Sequence, residues 1–226
     1  MSFFVKEIVD EEWGNYFALT GAGYGALVAV MVAVLLIGCM IAGEGGGRRV
    51  STRALVFSAM AMALGMVTSM IKLVDMPMGG SVTLCSMLFI TLIGYLFGLR
   101  AGLTGAIAYG ILQLVVDPYI ISIPQMFTDY IFAFGALGLS GLFYEKKNGL
   151  ILGYLAGALG RYFFTFLSGM IFFAANAAGY NMSVPVYSLA YNGAYLVPEA
   201  AITVLILMMP PVNKALLKIK SMAAGE

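Results

Sequence analysis

The 226-residue chain contains no histidine, so the commonest general base and metal ligand is missing. Its only two cysteines, Cys39 and Cys85, sit in or beside apolar runs, which leaves no disulfide framework and no thiolate metal site; both are expected to be small buried side chains. There is no glycine-rich nucleotide loop, no cluster of metal ligands and no nucleophile with a histidine base, so ATP binding and the common hydrolytic chemistries have no motif to rest on. Charged residues make up only 10% of the sequence, far below their share in a water-soluble domain. No tandem repeat of roughly 20–50 residues and no matched pair of interrupted helices is visible, which argues against a self-contained secondary transporter. The start of the chain is not basic either: Glu7, Asp10, Glu11 and Glu12 make it acidic, unlike a cleaved signal peptide.

What the chain does have is apolar length, with 62% apolar residues. A bilayer core takes about 20 such residues per helix, and seven stretches qualify, at roughly 20–43, 52–73, 82–98, 101–116, 125–143, 150–175 and 190–210. The fold class expected is therefore an all-α integral membrane protein. Residues 1–50 divide into an acidic N-terminus, an additional transmembrane helix and the flexible basic linker Glu44-Gly-Gly-Gly-Arg-Arg, and residues 51–226 form a six-helix membrane domain. Alternating the crossings places Arg48, Arg49, Arg53, Arg100, Lys146, Lys147, Lys214, Lys218 and Lys220 on one side and only Lys6 and Lys72 on the other. By the positive-inside rule the N-terminus is then outside and the C-terminus cytoplasmic.

Three ionisable side chains lie well inside predicted spans: Asp129, Arg161 and Glu199. Burying them is costly without a partner, so each is a candidate functional residue. Asp129 and Arg161 are expected at similar depth on consecutive helices, where an ion pair either locks two helices or serves a ligand site. Arg161, Thr165, Gly169 and Phe173 recur every four residues on one helix face, which reads cation, hydroxyl, gap and ring; the gap leaves room for a ligand or for another helix. The outer loops are rich in rings and amides, among them Tyr119, Gln125, Tyr130, Tyr187, Tyr191, Asn192 and Tyr195. An interfacial belt accounts for some of the rings. The amides point instead to a polar pocket with aromatic walls, with Tyr187 and Asn192 as a lid, suited to a flat, nitrogen-bearing, cationic small molecule. Ala59 and Ala63, small residues four apart on the second span, either pack the bundle or dock another protein.

Met76-Pro-Met-Gly-Gly-Ser-Val-Thr-Leu, Tyr109-Gly-Ile-Leu-Gln, Asp129-Tyr130 and Tyr187-Ser-Leu-Ala-Tyr-Asn192 together resemble the thiamine-specific substrate-binding (S) component of energy-coupling factor transporters. The resemblance covers about residues 52–212, with its motifs in order, and the helix before residue 50 resembles a variant of some members. It implies a six-helix protein of a prokaryotic cell membrane that binds thiamine in an outward-facing pocket. It also implies partners, a transmembrane coupling protein and two cytoplasmic ATPases, so that ATP is hydrolysed off this chain, which carries no cofactor and binds no nucleic acid. By motif position Asp129 would read the aminopyrimidine, Tyr130 and Tyr119 would lie beside it, and Arg161 would take the family's basic position. Gly169 would lie beneath the thiazolium, Tyr187 and Asn192 would match the last outer segment, and Ala59 and Ala63 would match the docking pair.

The chain departs from that pattern at Thr165, where studied members carry histidine, and at Phe173, where they carry tryptophan. Both departures thin the wall against the thiazolium, so a thiamine precursor, an analogue or another flat vitamin is the alternative ligand. A solo proton-coupled carrier is a further alternative, since a buried acid can relay protons, and an enzyme using Asp129 and Glu199 as a carboxylate pair is another.

Overall fold

The computed structural model of the chain describes residues 5–8, 16–20, 22, 52–77, 80–146 and 148–224. Apart from Thr20 and Ala22, the additional helix expected at 20–43 lies outside these residues, as do its linker and Cys39. Near the N-terminus, strands β1 (Val5–Ile8) and β2 (Tyr16–Leu19) pair antiparallel.

The first apolar helix among the described residues, α1 (Thr52–Ser69), ends earlier than its hydropathy predicts. The alternating Lys72-Leu-Val-Asp segment forms strand β3 (Lys72–Asp75), paired antiparallel with β4 (Ser81–Thr83). The hairpin displaces the end of one expected helix and the beginning of the next, so α2 (Ser86–Phe97) has only 12 residues, about 18 Å at helical rise. After it come α3 (Leu99–Val116), the composite helix α4 (Ile123–Phe143) and α5 (Gly149–Phe172). A single turn, α6 (Asn176–Gly179), leads to α7 (Val184–Met208). Pro185 lies in the first turn of α7, where its missing N–H breaks no helical bond. That start comes before Tyr187, so Tyr187 and Asn192 are helical residues of the wall and not a lid. With α1, α3, α4, α5 and α7 each at least 18 residues long and apolar, and α2 between them, the expected six-helix body is present.

Glycines set how closely the central helices approach. A Cβ on Gly94 of α2 would lie 2.3 Å from Ser140 Oγ, and one on Gly102 of α3 would lie 2.7 Å from the Gly138 carbonyl oxygen. These small residues pack α2 and α3 on the second half of α4, as the four-residue spacing allows. Gly98, with φ of +85°, makes the sharp turn from α2 to α3.

The helical hydrogen bonding of α4 changes along its length, with a π-helical stretch at Phe127–Phe132 and a 3₁₀ stretch at Ala136–Phe143. The π stretch carries Asp129 and Tyr130, and such wide turns concentrate at functional sites. It fits because α3 offers Gly110 there: a Cβ on Gly110 would be 1.9 Å from the Tyr130 carbonyl oxygen.

Two elements lie at the edge of the core. Helix α1 buries only Ala61 and Gly65 and leaves Ala59 and Ala63 exposed. Helix α8 (Pro210–Ala224) follows Pro210-Pro211 and carries Lys214, Lys218 and Lys220. Lys220 fastens it: Nζ donates to the Tyr144 carbonyl oxygen at 2.6 Å and lies 4.2 Å above the Tyr95 ring. Removal of the ammonium from water lowers the Lys220 pKa.

Candidate functional site

The β3–β4 hairpin, the α3–α4 connection, the end of α5 and the start of α7 converge at one end of the bundle around a cavity of about 160 Å³. A single water needs about 10–15 Å³ of such space, so the cavity has room for a small organic molecule's ring system. Asp129, Tyr130, Tyr119, Arg161, Thr165, Gly169, Phe173, Tyr187 and Asn192, all named from the sequence, line this one cavity. Ala59 and Ala63 do not; they lie on the exposed face of α1.

Asp129 is held by its own helix. Gln125, buried and one turn earlier, donates from Nε2 to Asp129 Oδ2 at 2.7 Å and to the Tyr119 carbonyl at 3.1 Å, while its Oε1 accepts from Ile121 N at 3.1 Å. Tyr130 completes the bracing, with its hydroxyl accepting from Tyr119 N at 2.8 Å and donating to the Asp117 carbonyl at 3.1 Å. Both residues thereby pin the 117–121 segment that brings Tyr119 to the cavity. Burial there raises the Tyr119 phenol pKa, so the ring stays neutral.

The ion pair expected between Asp129 and Arg161 is not formed. Among the described residues ion pairs join Lys72 to Asp75 at 3.6 Å and to Asp117 at 3.4 Å. The Arg161 guanidinium instead lies 4.1 Å above the Phe134 ring, with Nε buried and unpartnered. A cation over a ring face loses less on leaving water than one against bare hydrocarbon, while Gln125 satisfies Asp129 within α4.

The ring wall has two parts. Tyr119 and Phe173 stack with centroids 6.2 Å apart and planes 18° apart. On α7, Tyr187 stacks on Tyr191 at 5.9 Å, Tyr191 meets Tyr195 edge-on at 5.9 Å, and Tyr180 covers Tyr187 from outside at 5.3 Å. The Tyr191 hydroxyl also straps the hairpin, accepting from Gly80 N at 3.1 Å and donating to the Pro77 carbonyl. The gap at Gly169 is filled by another helix: a Cβ there would be 2.2 Å from Ser188 Oγ of α7.

Glu199, the third buried ionisable residue, is 3% exposed and fully engaged. Its Oε2 accepts from Thr83 N at 3.2 Å and Thr83 Oγ1 at 2.8 Å, and its Oε1 accepts from Ser86 Oγ at 3.2 Å and Met87 N at 3.3 Å. These include the Met87 amide in the first turn of α2, the end of a helix that favours negative charge. Glu199 thus anchors the hairpin and α2 to α7. Thr83, Ser86 and Ser168 escaped sequence reasoning, because a lone hydroxyl in an apolar run ordinarily bonds to its own backbone.

The cavity carries three carboxylates, Asp117, Asp129 and Glu199, against two cations, Lys72 and Arg161, a formal balance of −1. A half-apolar, ring-walled cavity with that balance and a braced carboxylate suits a flat ligand bearing one positive charge and an N–H donor.

Comparison with known proteins follows the same line. Residues 55–219 match the family described as thiamine transporter protein (Thia_YuaJ). A relative from Bacillus subtilis (strain 168), the thiamine transporter ThiT, is 34% identical over 168 residues, which cover 68% of this chain and 85% of the relative. Among solved structures, ThiT from Listeria monocytogenes superposes with a TM-score of 0.58 at 23% identity, covering 70% of this chain and 94% of that one. That likeness shows the fold.

Proposed function

The chain belongs to the thiamine transporter protein family, whose members are transporters and not enzymes, and from that premise we propose that it binds thiamine in the cavity described above and hands it on for uptake. It is a multi-pass protein of a bacterial cell membrane. The observation that carries the reading is the Asp129 carboxylate, fixed by Gln125 at 2.7 Å in a ring-walled cavity of formal charge −1. An aminopyrimidine offers an N–H donor to such a carboxylate, and a thiazolium supplies the single positive charge that offsets the cavity's own.

In this reading the cavity opens outward. It lies at the end of the bundle away from Arg53, Arg100, Lys146, Lys214 and Lys218, and the positive-inside rule assigns the basic end to the cytoplasm. The N-terminus is then outside and the C-terminus inside. The energy for uptake comes from a transmembrane coupling protein and two cytoplasmic ATPases of the energy-coupling factor type. The exposed Ala59 and Ala63 on α1 supply a smooth face for the coupling protein.

Equilibrium titration of the detergent-purified protein tests the ligand, using thiamine, its separate pyrimidine and thiazole halves, and its phosphate esters. Intact thiamine is expected to bind far more tightly than either half, and Asp129→Asn is expected to weaken it about 100-fold while the protein stays folded. Absence of thiamine binding would refute the reading. Thr165 favours a second possibility, because its hydroxyl is spent on the Tyr162 carbonyl at 3.1 Å and it has no ring to stack. A pyrimidine half that binds as tightly as thiamine would make a precursor the ligand. Uptake that persists without the partner subunits would favour a solo carrier.

A further inference from the structure

The polar wall of the cavity is largely hydrogen-bonded before a ligand arrives. Thr165 Oγ1 donates to the Tyr162 carbonyl, Ser188 Oγ donates to the Phe166 carbonyl at 2.7 Å, and Tyr195 OH donates to Asn192 Oδ1 at 2.8 Å. The Asn192 amide donates to the carbonyls of Thr165 and Ser188. Gln125 has both ends engaged.

Arg161 Nε and the Ser168 hydroxyl are the exceptions, and Ser168 is the uncharged one. It is 1% exposed, it lines the cavity, and its hydroxyl has no hydrogen-bond partner. A helical serine ordinarily returns its proton to a carbonyl of the preceding turn, as Thr165 does three residues earlier; Ser168 does not. A buried hydroxyl left unpaired destabilises a folded chain and calls for a specific explanation. Ser168 on α5 and Asp129 on α4 line the same cavity, and no hydrogen bond of normal geometry holds the Ser168 hydroxyl.

We propose that Ser168 is a specificity-determining residue that reads the ring nitrogen next to the amino group of an aminopyrimidine, side by side with Asp129. The inference rests on the thiamine reading above. An aminopyrimidine edge presents a donor, the amino group, next to an acceptor, the ring nitrogen. Asp129 as a carboxylate only accepts, so it takes the amino hydrogen; the Ser168 hydroxyl proton is held by no hydrogen bond of normal geometry, so it serves the nitrogen. The pair rejects ligands whose edge lacks that order, because a buried partner would then be left unsatisfied.

The test is a cycle of two proteins and two ligands in detergent: wild type and Ser168→Ala, with thiamine and with an aminopyridine analogue in which that ring nitrogen is replaced by C–H. Ser168→Ala is expected to weaken thiamine about tenfold, the scale of one hydrogen bond, and to change the analogue less than twofold. Because the substitution removes an unpaired hydroxyl, the thermal stability of the ligand-free protein is expected to hold or rise. A thiamine affinity within twofold of wild type overturns the proposal. So does an equal loss for both ligands with a less stable free protein, which would make Ser168 a packing residue. If Ser168→Ala does not give folded protein, Ser168→Cys, a weaker donor of similar shape, is judged by the same criteria. A wild type that binds no thiamine removes the functional reading and this proposal together, whereas thiamine binding that is indifferent to Ser168 removes the proposal alone.

Discussion

Glu199 and Asp129 show what a buried carboxylate requires in an apolar bundle, and they meet the requirement differently. Asp129 is served at one oxygen by a neighbour on its own helix, whereas both Glu199 oxygens are consumed by β4 and the start of α2. Each Glu199 oxygen faces a backbone N–H, from Thr83 or Met87. Glu199→Gln therefore turns an NH₂ group against an N–H donor whichever way the amide is placed. We expect it to destabilise the protein by about 1–3 kcal/mol, measured as a lower unfolding temperature in detergent, although the volume is unchanged. Sequence alone marks both acids, since an intramembrane charge needs a partner, but not the partners. Arg161 looks like the natural counterion of Asp129 until the Phe134 ring is seen beneath it. Ser168 carries no signal at all, because a serine among phenylalanines and leucines is common and only the missing hydrogen bond sets it apart.

At the scale of elements, hydropathy located the helices to within a few residues wherever an apolar run was bounded by polar ones. It failed where polarity and structure part company. Lys72-Leu-Val-Asp is short enough to read as the end of a helix, yet it pairs as a strand, and the apolar stretch before Tyr191 is already helical from Val184. Hydropathy is equally blind to the π-helical turn in α4, which depends on Gly110 across the interface. Gly110→Ala would place a methyl group 1.9 Å from the Tyr130 carbonyl oxygen and force the π turn away from α3. Overpacking of this kind costs about 1–3 kcal/mol. Because Asp129 and Tyr130 sit on the displaced turn, thiamine affinity is expected to fall more than tenfold in the same variant. A calorimetric titration alongside thermal unfolding checks both, and an unchanged affinity would show that the turn does not position the site.

Over the whole molecule, the cavity and the bare face of α1 are separate: none of the residues that line the cavity is Ala59 or Ala63. Binding and coupling are therefore expected to be separable by mutation. Ala59→Trp or Ala63→Trp should leave thiamine affinity in the purified protein within twofold and abolish uptake in cells carrying the partner subunits. Normal uptake in both variants would make this face a lipid contact only.

The tyrosine wall has an optical consequence. Among the described residues, the rings lining the cavity are tyrosines and phenylalanines. Ligand entry should register in the near-ultraviolet absorption and circular dichroism of Tyr119, Tyr187, Tyr191 and Tyr195, whose mutual orientation gives the empty protein a signature that a stacked cation would perturb.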